Sequence, residues 1–232
     1  TNRQIYPSKD ISPLRDIFVY SLDKDIPFRQ LLVKEERLLE SPDTERKVLL
    51  ESMCEVVSNC SLGEIDGTTL PIFDLQLIFL KLLEYSKTEI PNWLFACEEC
   101  GEPNEVEISL SNFDITRGKF SSPVIELREN LIVTMRYPTA KEIFETAEGK
   151  EFAEFYDIAT KCIVAILYED EFLDVNDEEK IEFVDNLTKG EFEEIKYFFA
   201  NMPVVNNKIE FNCVNCETKN TAYMNGFLGE AI

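Results

Sequence analysis

A Cys-x-x-Cys motif occurs twice in this chain, each time within the same local pattern. The two stretches are FACEECGEPNEVEI at residues 95–108 and FNCVNCETKNTAYM at residues 211–224. In both, Phe stands two positions before the first Cys, and Asn stands four positions after the second Cys. A segment of strand character lies on each side of each motif, which predicts two β knuckles. Because residues 109–210 separate the copies, the pattern predicts a fold that returns the end of the chain to its middle.

The four cysteines of these motifs are predicted to bind one Zn²⁺ ion. They are Cys97, Cys100, Cys213 and Cys216. Zn²⁺ prefers a tetrahedron of thiolate or imidazole ligands, and a two-residue gap lets both sulfurs of one turn face the same ion. Gly101, directly after Cys100, suits the left-handed backbone that closes a knuckle. Four protein thiolates would leave no position for water or substrate, so the predicted zinc is structural.

Two other interpretations of the cysteine pairs stay open on the sequence, namely metal-free hairpins and a labile disulfide. The first ten residues, TNRQIYPSKD, contain no apolar segment like that of a secretion signal. We therefore expect the thiols to meet a reducing cytosol, where Cys-x-x-Cys pairs favour metal over disulfide. Neither pair is predicted to open a helix that would lower a thiol pKa, which argues against redox catalysis.

The charge of the chain limits its expected partners. The 45 Asp and Glu residues against 23 Lys and Arg residues give a net charge of −22. Such a surface repels phosphate backbones and anionic lipids, so we expect neither nucleic acid nor membrane as a partner. The acidity fits simple solubility or an acidic docking face. No apolar run approaches the roughly 20 residues of a membrane helix; the best uninterrupted one, CIVAILY at residues 162–168, is interpreted as a buried helix segment.

The spacing of apolar residues predicts a chain of mixed α+β class. Strands are predicted within residues 16–31 (two, joined across residues 23–25), 89–96, 104–110, 123–138 (two, around residues 129–130), 208–212 and 220–224. Helices are predicted at residues 31–40, 44–61, 71–87, 139–170 (with a candidate break near Gly149), 177–187 and 189–202. Candidate capping residues at the helix starts are Ser41, Asp43, Pro71, Asp74 and the capping-box pair Thr139 and Glu142. The cysteines on apolar helix faces, Cys54, Cys60 and Cys162, are predicted to pack in the core.

These elements predict a helical domain with β hairpins and a split, zinc-ribbon-like four-cysteine site that joins a mid-chain and a C-terminal knuckle. The predicted parts are an N-terminal hairpin and helical region (1–88), the first zinc knuckle with its strands (89–137), a helical insertion (138–204) and the second zinc knuckle (205–232). We expect these parts to form one compact unit.

The sequence carries no motif of a familiar enzyme class. Histidine is absent, which removes histidine-based acid–base and nucleophile pairs. There is no Walker-type phosphate loop, no G-x-G-x-x-G and no G-x-S-x-G, and with so many acidic residues a carboxylate pair carries no information. The stretch DVNDEEKIEFVD at 174–185 lacks the glycine and the final glutamate of a calcium loop, so a capped helix start explains it better. We expect no catalytic residues and no small-molecule substrate.

Three stretches resemble a known family. They are FRQLLVKEERLL at residues 28–39, FDLQLIFLKL at residues 73–82 and LRENLIVTMRYP at residues 127–138. Together they are similar, over residues 16–140, to the T-even-type bacteriophage baseplate protein family, which includes baseplate hub subunits and hub assembly factors. No catalytic residue comes with this resemblance, and the zinc prediction rests on cysteine spacing alone.

The resemblance implies a non-enzymatic late viral protein that acts in assembly of the tail hub through protein–protein contacts. Its partners would be other phage baseplate, hub or tail proteins. It would work in the host cytoplasm during assembly, either retained in the virion tail baseplate or released as a chaperone. The alternative from another class is a zinc-ribbon adaptor module of a cellular protein complex.

Overall fold

The computed structural model describes residues 13–39, 46–88, 92–116, 122–146 and 151–226. The helices are α1 (Val33–Leu39), α2 (Arg46–Cys60), α3 (Ile72–Ser86), α4 (Ala140–Thr146), α5 (Glu151–Lys161), α6 (Asp177–Asp185) and α7 (Lys189–Ala200). The strands are β1 (Arg15–Val19), β2 (Lys24–Phe28), β3 (Trp93–Ala96), β4 (Pro103–Val106), β5 (Asp114–Thr116), β6 (Val124–Arg128), β7 (Leu131–Met135), β8 (Ile163–Tyr168), β9 (Glu171–Leu173), β10 (Val204–Asn212) and β11 (Lys219–Asn225). The mixed helix-and-sheet class predicted from the sequence is confirmed.

Backbone contacts group the chain into two compact units. The first unit takes residues 1–115 and 205–232, and the second takes residues 116–204. The sequence-based parts divide the chain differently, with an insertion that begins at residue 138. In the structure, the β6–β7 hairpin belongs to the second unit, together with the helices that follow it, because β7 pairs along its length with β8. Among the described residues, no helix has the length and apolar character needed to span a membrane.

The first unit is built around α3, whose sequence is apolar on nearly every face. Leu75, Ile78 and Leu80 are completely buried in this helix, and its leucines are strong helix formers. Pro71 is the N-cap, and the left-handed Lys87 ends the helix. Three small sheets complete the unit: the antiparallel pairs β1–β2 and β3–β4, and the sheet β11–β10–β5, in which β10 and β11 are antiparallel. The α3 start therefore lies at Pro71, one of the two predicted positions.

The second unit packs helices on one face of a four-stranded antiparallel sheet in the order β6–β7–β8–β9. Tyr137 stacks on Phe198, with ring centroids 5.2 Å apart, and Phe155 meets Phe199 edge to face at 5.4 Å. The buried side chains of this core are Leu127, Leu131, Val133, Met135, Ala159, Cys162, Ile163, Ile166, Val184, Ile195 and Phe198.

One predicted helix is wrong over part of its length. The stretch at residues 162–168, interpreted as a buried helix segment, forms strand β8, so the helix predicted to reach residue 170 ends at Lys161. Strand β8 lies between β7 and β9. Its Ile163 and Ile166 are buried in the core, whereas the apolar Val164 is exposed. A short apolar run of this kind does not distinguish a strand from a helix by periodicity. The interval between the knuckles is therefore not filled by helices alone, and β9 was not predicted.

Most other element predictions are confirmed. The two strands of the first hairpin are present, but its turn lies at residues 20–23 and not at 23–25, since β2 already begins at Lys24. The hairpin around residues 129–130 and helices α1, α2, α3, α6 and α7 are present as predicted. The strand predicted to reach residue 110 ends at Val106, and a 3₁₀ turn follows at Leu110–Asn112. The N-cap candidates Ser41 and Asp43 lie outside the described residues.

The first hairpin continues into a buried clamp. The Arg29 guanidinium bonds both carboxylate oxygens of Glu35, at 2.9 and 3.2 Å. Glu35 also accepts the backbone N–H of Leu32 at 2.8 Å. The backbone N–H of Arg29 donates to the carbonyl of Cys60 at 3.0 Å, at the end of α2. Strand β2, the start of α1 and the end of α2 are thereby joined at one point.

The second hairpin ends in the same arrangement. Arg136 bonds both oxygens of Glu142, at 2.6 and 2.8 Å, and Glu142 accepts the N–H of Thr139 at 2.9 Å, as the predicted capping box requires. The backbone N–H of Arg136 donates to the carbonyl of Cys162 at 2.9 Å, directly after α5. The two clamps share the pattern Arg, four residues, Lys-Glu.

The chain has a first half, β1 to β4, and a second half, β6 to β11. In each half, a later helix contacts the first hairpin of that half near its turn. Asp74, the third residue of α3, accepts the N–H groups of Tyr20 and Ser21 at 3.0 and 2.8 Å. Glu191, the third residue of α7, binds Arg128 at 2.6 Å. Each of these helices is followed by a hairpin that carries one Cys-x-x-Cys motif. The chain thus repeats one series of elements and contacts.

Candidate metal centre

The first knuckle is a tight turn between β3 and β4. The N–H of Cys97 donates to the carbonyl of Glu102, and the N–H of Gly101 donates to the carbonyl of Cys97, both at 2.9 Å. Gly101 has φ +74°, the left-handed conformation expected for it. These bonds turn the chain so that the sulfurs of Cys97 and Cys100 can face the same point.

The second knuckle, between β10 and β11, has the same hydrogen bonds. The N–H of Cys213 donates to the carbonyl of Thr218 at 2.9 Å, and the N–H of Glu217 donates to the carbonyl of Cys213 at 3.0 Å. Glu217 takes the place of the glycine and adopts φ +60°. A side chain in this conformation is strained by about 1–2 kcal/mol, so the turn holds the residue there by its other contacts.

The four predicted ligands come together at one place. Their Sγ atoms all lie within 4.8 Å of one another, with Cys97 and Cys216 separated by 3.7 Å and Cys100 and Cys213 by 3.6 Å. Sulfurs at the corners of a zinc tetrahedron with Zn–S distances of about 2.3 Å are about 3.8 Å apart. A disulfide would need an S–S distance of about 2.05 Å, and all four are free thiols. The spacing therefore fits a metal site.

Asn104 extends from the first knuckle to the second. Its side-chain amide donates to the carbonyl of Glu102 at 2.7 Å, which closes its own turn. Its oxygen accepts the N–H of Val214 at 2.8 Å, and its nitrogen lies 3.8 Å from the sulfur of Cys213. The side chain is buried.

Asn220 makes the reciprocal set of contacts. Its side-chain amide donates to the carbonyl of Thr218 at 2.8 Å and to the sulfur of Cys97 at 3.5 Å. Its oxygen accepts the N–H of Glu98 at 2.9 Å. Each asparagine therefore orients the first cysteine of the opposite knuckle. Sequence reasoning noted these asparagines but assigned them no role; their identical position in both motifs was the signal.

Hydrogen bonds around the sulfurs favour thiolates at two of the ligands. The backbone N–H of Cys100 is the main cause that lowers the pKa of Cys97 to about 6, and Asn220 contributes. The backbone N–H of Cys216 likewise lowers the pKa of Cys213. The pKa of Cys100 is raised to about 11: although the N–H of Glu102 lowers it, burial and the neighbouring thiols outweigh that effect. Cys97 and Cys213 are buried, whereas Cys100 and Cys216 reach the surface.

The remaining cysteines are core residues, as expected. Cys54, Cys60 and Cys162 are buried, and burial raises their pKa values to about 12, 11 and 12. Thiols of this kind are protonated and unreactive at neutral pH. In the stretch weighed as a calcium loop, Asn176 and Glu179 form a capping box at the start of α6, with bonds of 3.0 and 2.8 Å.

The comparisons with known proteins give one family. The sequence model of the T4 bacteriophage base plate protein family matches residues 15–228. No curated protein and no solved structure matches the chain. The match confirms the resemblance found in the sequence and supports a structural role in the phage baseplate, with other tail or baseplate proteins as partners. Since it covers nearly all of the chain, the chain belongs to the T4 bacteriophage base plate protein family.

Proposed function

We propose that this chain is a non-enzymatic protein of the central baseplate hub, and that one structural Zn²⁺ ion links its two knuckles and stabilises its fold. The proposed ligands are Cys97, Cys100, Cys213 and Cys216. The chain acts through contacts with other hub or tail proteins, as a structural subunit of the baseplate or as an assembly factor that leaves before the tail is complete. It does so in the host cytoplasm while the tail assembles.

The observation that carries the zinc proposal is the pair of reciprocal knuckles. Four sulfurs lie within 4.8 Å of one another, two pairs of them at 3.6 and 3.7 Å, and buried asparagines already orient two of these sulfurs. Metal-ligating side chains are commonly held by such outer hydrogen bonds. Since four thiolates fill the zinc coordination sphere, the ion would stabilise the fold and would not activate water.

The composition of the chain supports a protein-binding role. It contains no histidine, and its net charge of −22 opposes binding to nucleic acid or to anionic membranes. A phage baseplate is an assembly of proteins, so a structural member needs binding surfaces and no catalytic groups. The family match favours this role over that of a zinc-ribbon adaptor in a cellular complex.

Metal analysis tests the proposed zinc site. Protein purified without chelator should contain about one zinc per chain. Cys100→Ser should lose it, whereas Cys54→Ala, which changes a buried thiol outside the site, should keep it. Zinc-free wild-type protein with full thermal stability would show that the knuckles need no metal.

Mass spectrometry of purified phage particles and of hub intermediates tests the role in the tail. Presence in both identifies a structural subunit, and presence only in the intermediates identifies an assembly factor. If the protein occurs in neither, the hub proposal is wrong.

A further inference from the structure

The two halves of the chain differ by one inserted segment. In the first half, residues 61–71 connect the clamp cysteine Cys60 to α3, with a single 3₁₀ turn at Gly67–Thr69. In the second half, residues 163–188 connect Cys162 to α7 and contain β8, β9 and α6. The first half forms its hairpin, clamp and knuckle without such a segment. The shared series of elements therefore does not require it.

Some apolar side chains of the inserted segment point into the core, and others lie on the outer face of the sheet. Ile163, Ile166 and Val184 point into the core of the second unit. Phe172 lies on the opposite face of the sheet, next to Leu167 across the β8–β9 pair, and 76% of its surface is exposed. Leu167 in turn lies opposite Ile132 of β7. An apolar row thus crosses three strands on the outer face and ends in an exposed phenylalanine at the sheet edge.

A groove lies beside β9 on the other side of the sheet. It has a volume of about 320 Å³, and its lining includes Leu173, Val175 and Phe183 together with the carboxylates of Glu179 and Glu182. Leu173 is itself partly exposed. Strand β9 therefore has accessible apolar surface on both faces.

The backbone of β9 is open on one side. In the described part of the chain, β9 has β8 as its strand neighbour and ends the sheet. Glu169 and Asp170 form the two-residue turn before it, both with positive φ. In such a hairpin the flanking pair exchanges hydrogen bonds and the next pair does not. The N–H and C=O of Phe172 consequently point away from β8, towards the open edge.

The charge around this edge is mostly negative, because Arg128, which lines the groove, is paired with Glu191, and Lys180 is paired with Asp177. Residues 162–179 contain seven Asp and Glu residues and neither Lys nor Arg. Pairing β9 with the β9 of a second copy would bring two such acidic segments together, which like-charge repulsion opposes. A segment with lysine or arginine between its apolar residues would instead neutralise the rim.

We propose that β9 is a docking strand for an extended, basic and apolar segment of another baseplate protein, which adds to the sheet as a fifth strand. Strand addition uses backbone hydrogen bonds for affinity and side-chain pockets on alternate positions for specificity. Here Phe172 would cover one face of the added strand, and the groove beside Leu173 would receive side chains on the other. The proposal rests on the proposed function, since it assigns the surface through which the chain joins the baseplate.

A peptide probe tests the surface on the full-length protein. A short synthetic peptide of alternating lysine and valine should shift the amide resonances of residues 171–173, with the largest change at the N–H of Phe172. The same peptide with glutamate in place of lysine should not bind. Shifts spread over the acidic surface without preference for β9, or a dimer formed through β9, would overturn the proposal.

Two substitutions separate the backbone from the side chain. Phe172→Pro removes the outward N–H without removing a bond to β8, and it should weaken binding of the lysine–valine peptide at least about tenfold. Phe172→Ala keeps the N–H and should weaken binding less. Tyr197→Ala, at an exposed aromatic residue of α7, should leave binding unchanged. Unchanged amide spectra outside β8 and β9 verify folding of each variant, and wild-type binding by Phe172→Pro would contradict strand addition.

Hydrogen exchange in purified hub assemblies distinguishes this proposal from the proposed function. Slower exchange at residues 171–173 in the assembly than in the free chain would support docking through β9. If the chain enters the assembly and exchange at β9 is unchanged, the docking strand is wrong while the baseplate role stands. If the chain enters no hub assembly, both proposals fail.

Discussion

The two clamps have the same hydrogen bonds in different surroundings. In the first half, the side chains of Arg29 and Glu35 are 6% and 0% exposed. In the second half, those of Arg136 and Glu142 are 39% and 17% exposed. An ion pair removed from water interacts more strongly and costs more to desolvate, so its two partners depend on each other more. The repeated contact is therefore expected to be an indispensable pair in one half and a modest contribution in the other.

The two knuckles differ from the clamps in this respect: they share both their hydrogen bonds and the burial of the residues that form them. Each first cysteine is buried, each second cysteine is exposed, and each asparagine reaches the opposite knuckle with bonds of similar length. Contacts that are equivalent in both chemistry and burial should have equivalent energies. The comparison of halves thus predicts asymmetry at the clamps and symmetry at the metal centre.

The largest expected effect is loss of one ligand. Structural zinc contributes on the order of 10 kcal/mol of apparent binding free energy, against a domain stability of about 5–15 kcal/mol. Cys213→Ser should lose zinc, lower the thermal unfolding midpoint and prevent incorporation into tails. Cys97→Ser should do the same to a similar degree, because each knuckle supplies half the site.

Differential scanning calorimetry with metal analysis checks this symmetry. Charge reversal at Glu178, in the exposed first turn of α6, is the control. It should leave the zinc content unchanged and shift the midpoint much less than loss of a ligand, because such a charge contributes only about 0.3–1 kcal/mol. If Cys213→Ser protein remains folded and enters tail assemblies normally, the zinc site is not needed for folding or assembly.

The clamps should differ next most strongly. Glu35→Gln leaves the buried Arg29 charge without its partner and should cost about 3–5 kcal/mol of unfolding free energy. Glu142→Gln, at the more exposed clamp, should cost less, about 1–3 kcal/mol, because water screens part of the interaction with Arg136. Urea unfolding with hydrogen exchange at α1 and α4 measures each change in its own unit. Equal losses would mean that burial does not set the strength of these pairs.

A smaller effect is expected at the asparagines. Asn220→Ala removes the amide that orients Cys97 and should weaken zinc binding about tenfold, the lower end of such outer-contact effects. Asn104→Ala should match it. Asn215, which is exposed and lies 3.7 Å from Cys100, offers the control, since Asn215→Ala leaves the buried bonds intact. Competition with a chromophoric chelator measures the affinities, and unequal losses for the two buried asparagines would break the predicted symmetry.

The last prediction concerns the loss of stability at low pH. Burial raises the pKa of Glu142, but hydrogen bonds from Arg136 and Thr139 outweigh it and lower the pKa to about 2. A carboxyl group whose pKa is lower in the folded state stabilises the fold at pH values above its pKa in the unfolded state. This contribution is lost as the pH falls through the pKa of the folded state. The second unit should therefore lose stability between pH values of about 4.5 and 2, and Glu142→Gln should flatten this part of the profile. A variant with the wild-type slope would assign the acid sensitivity to other groups.

The sequence by itself determined the features that depend on local spacing. Cys-x-x-Cys pairs place two sulfurs on one turn whatever the rest of the chain does, so the four candidate ligands followed from the motif, and the structure brings them together. The Thr139–Glu142 capping box is likewise decided within a few residues. The first hairpin was predicted as a pair of strands, but its turn lies at residues 20–23 and not at the predicted 23–25. Periodicity found most helices because each has one face towards its core.

Only the tertiary structure decided what depends on neighbours distant in the chain. Strand β8 became a strand because β7 and β9 bond to both of its edges, which an apolar run of seven residues does not reveal. The roles of Asn104 and Asn220 required knuckles more than a hundred residues apart to meet. The clamp pattern of Arg followed by Lys-Glu is visible in both halves of the sequence, but burial separates the two pairs. Burial is set by packing of the whole unit, because no local pattern specifies how much water remains around a charge.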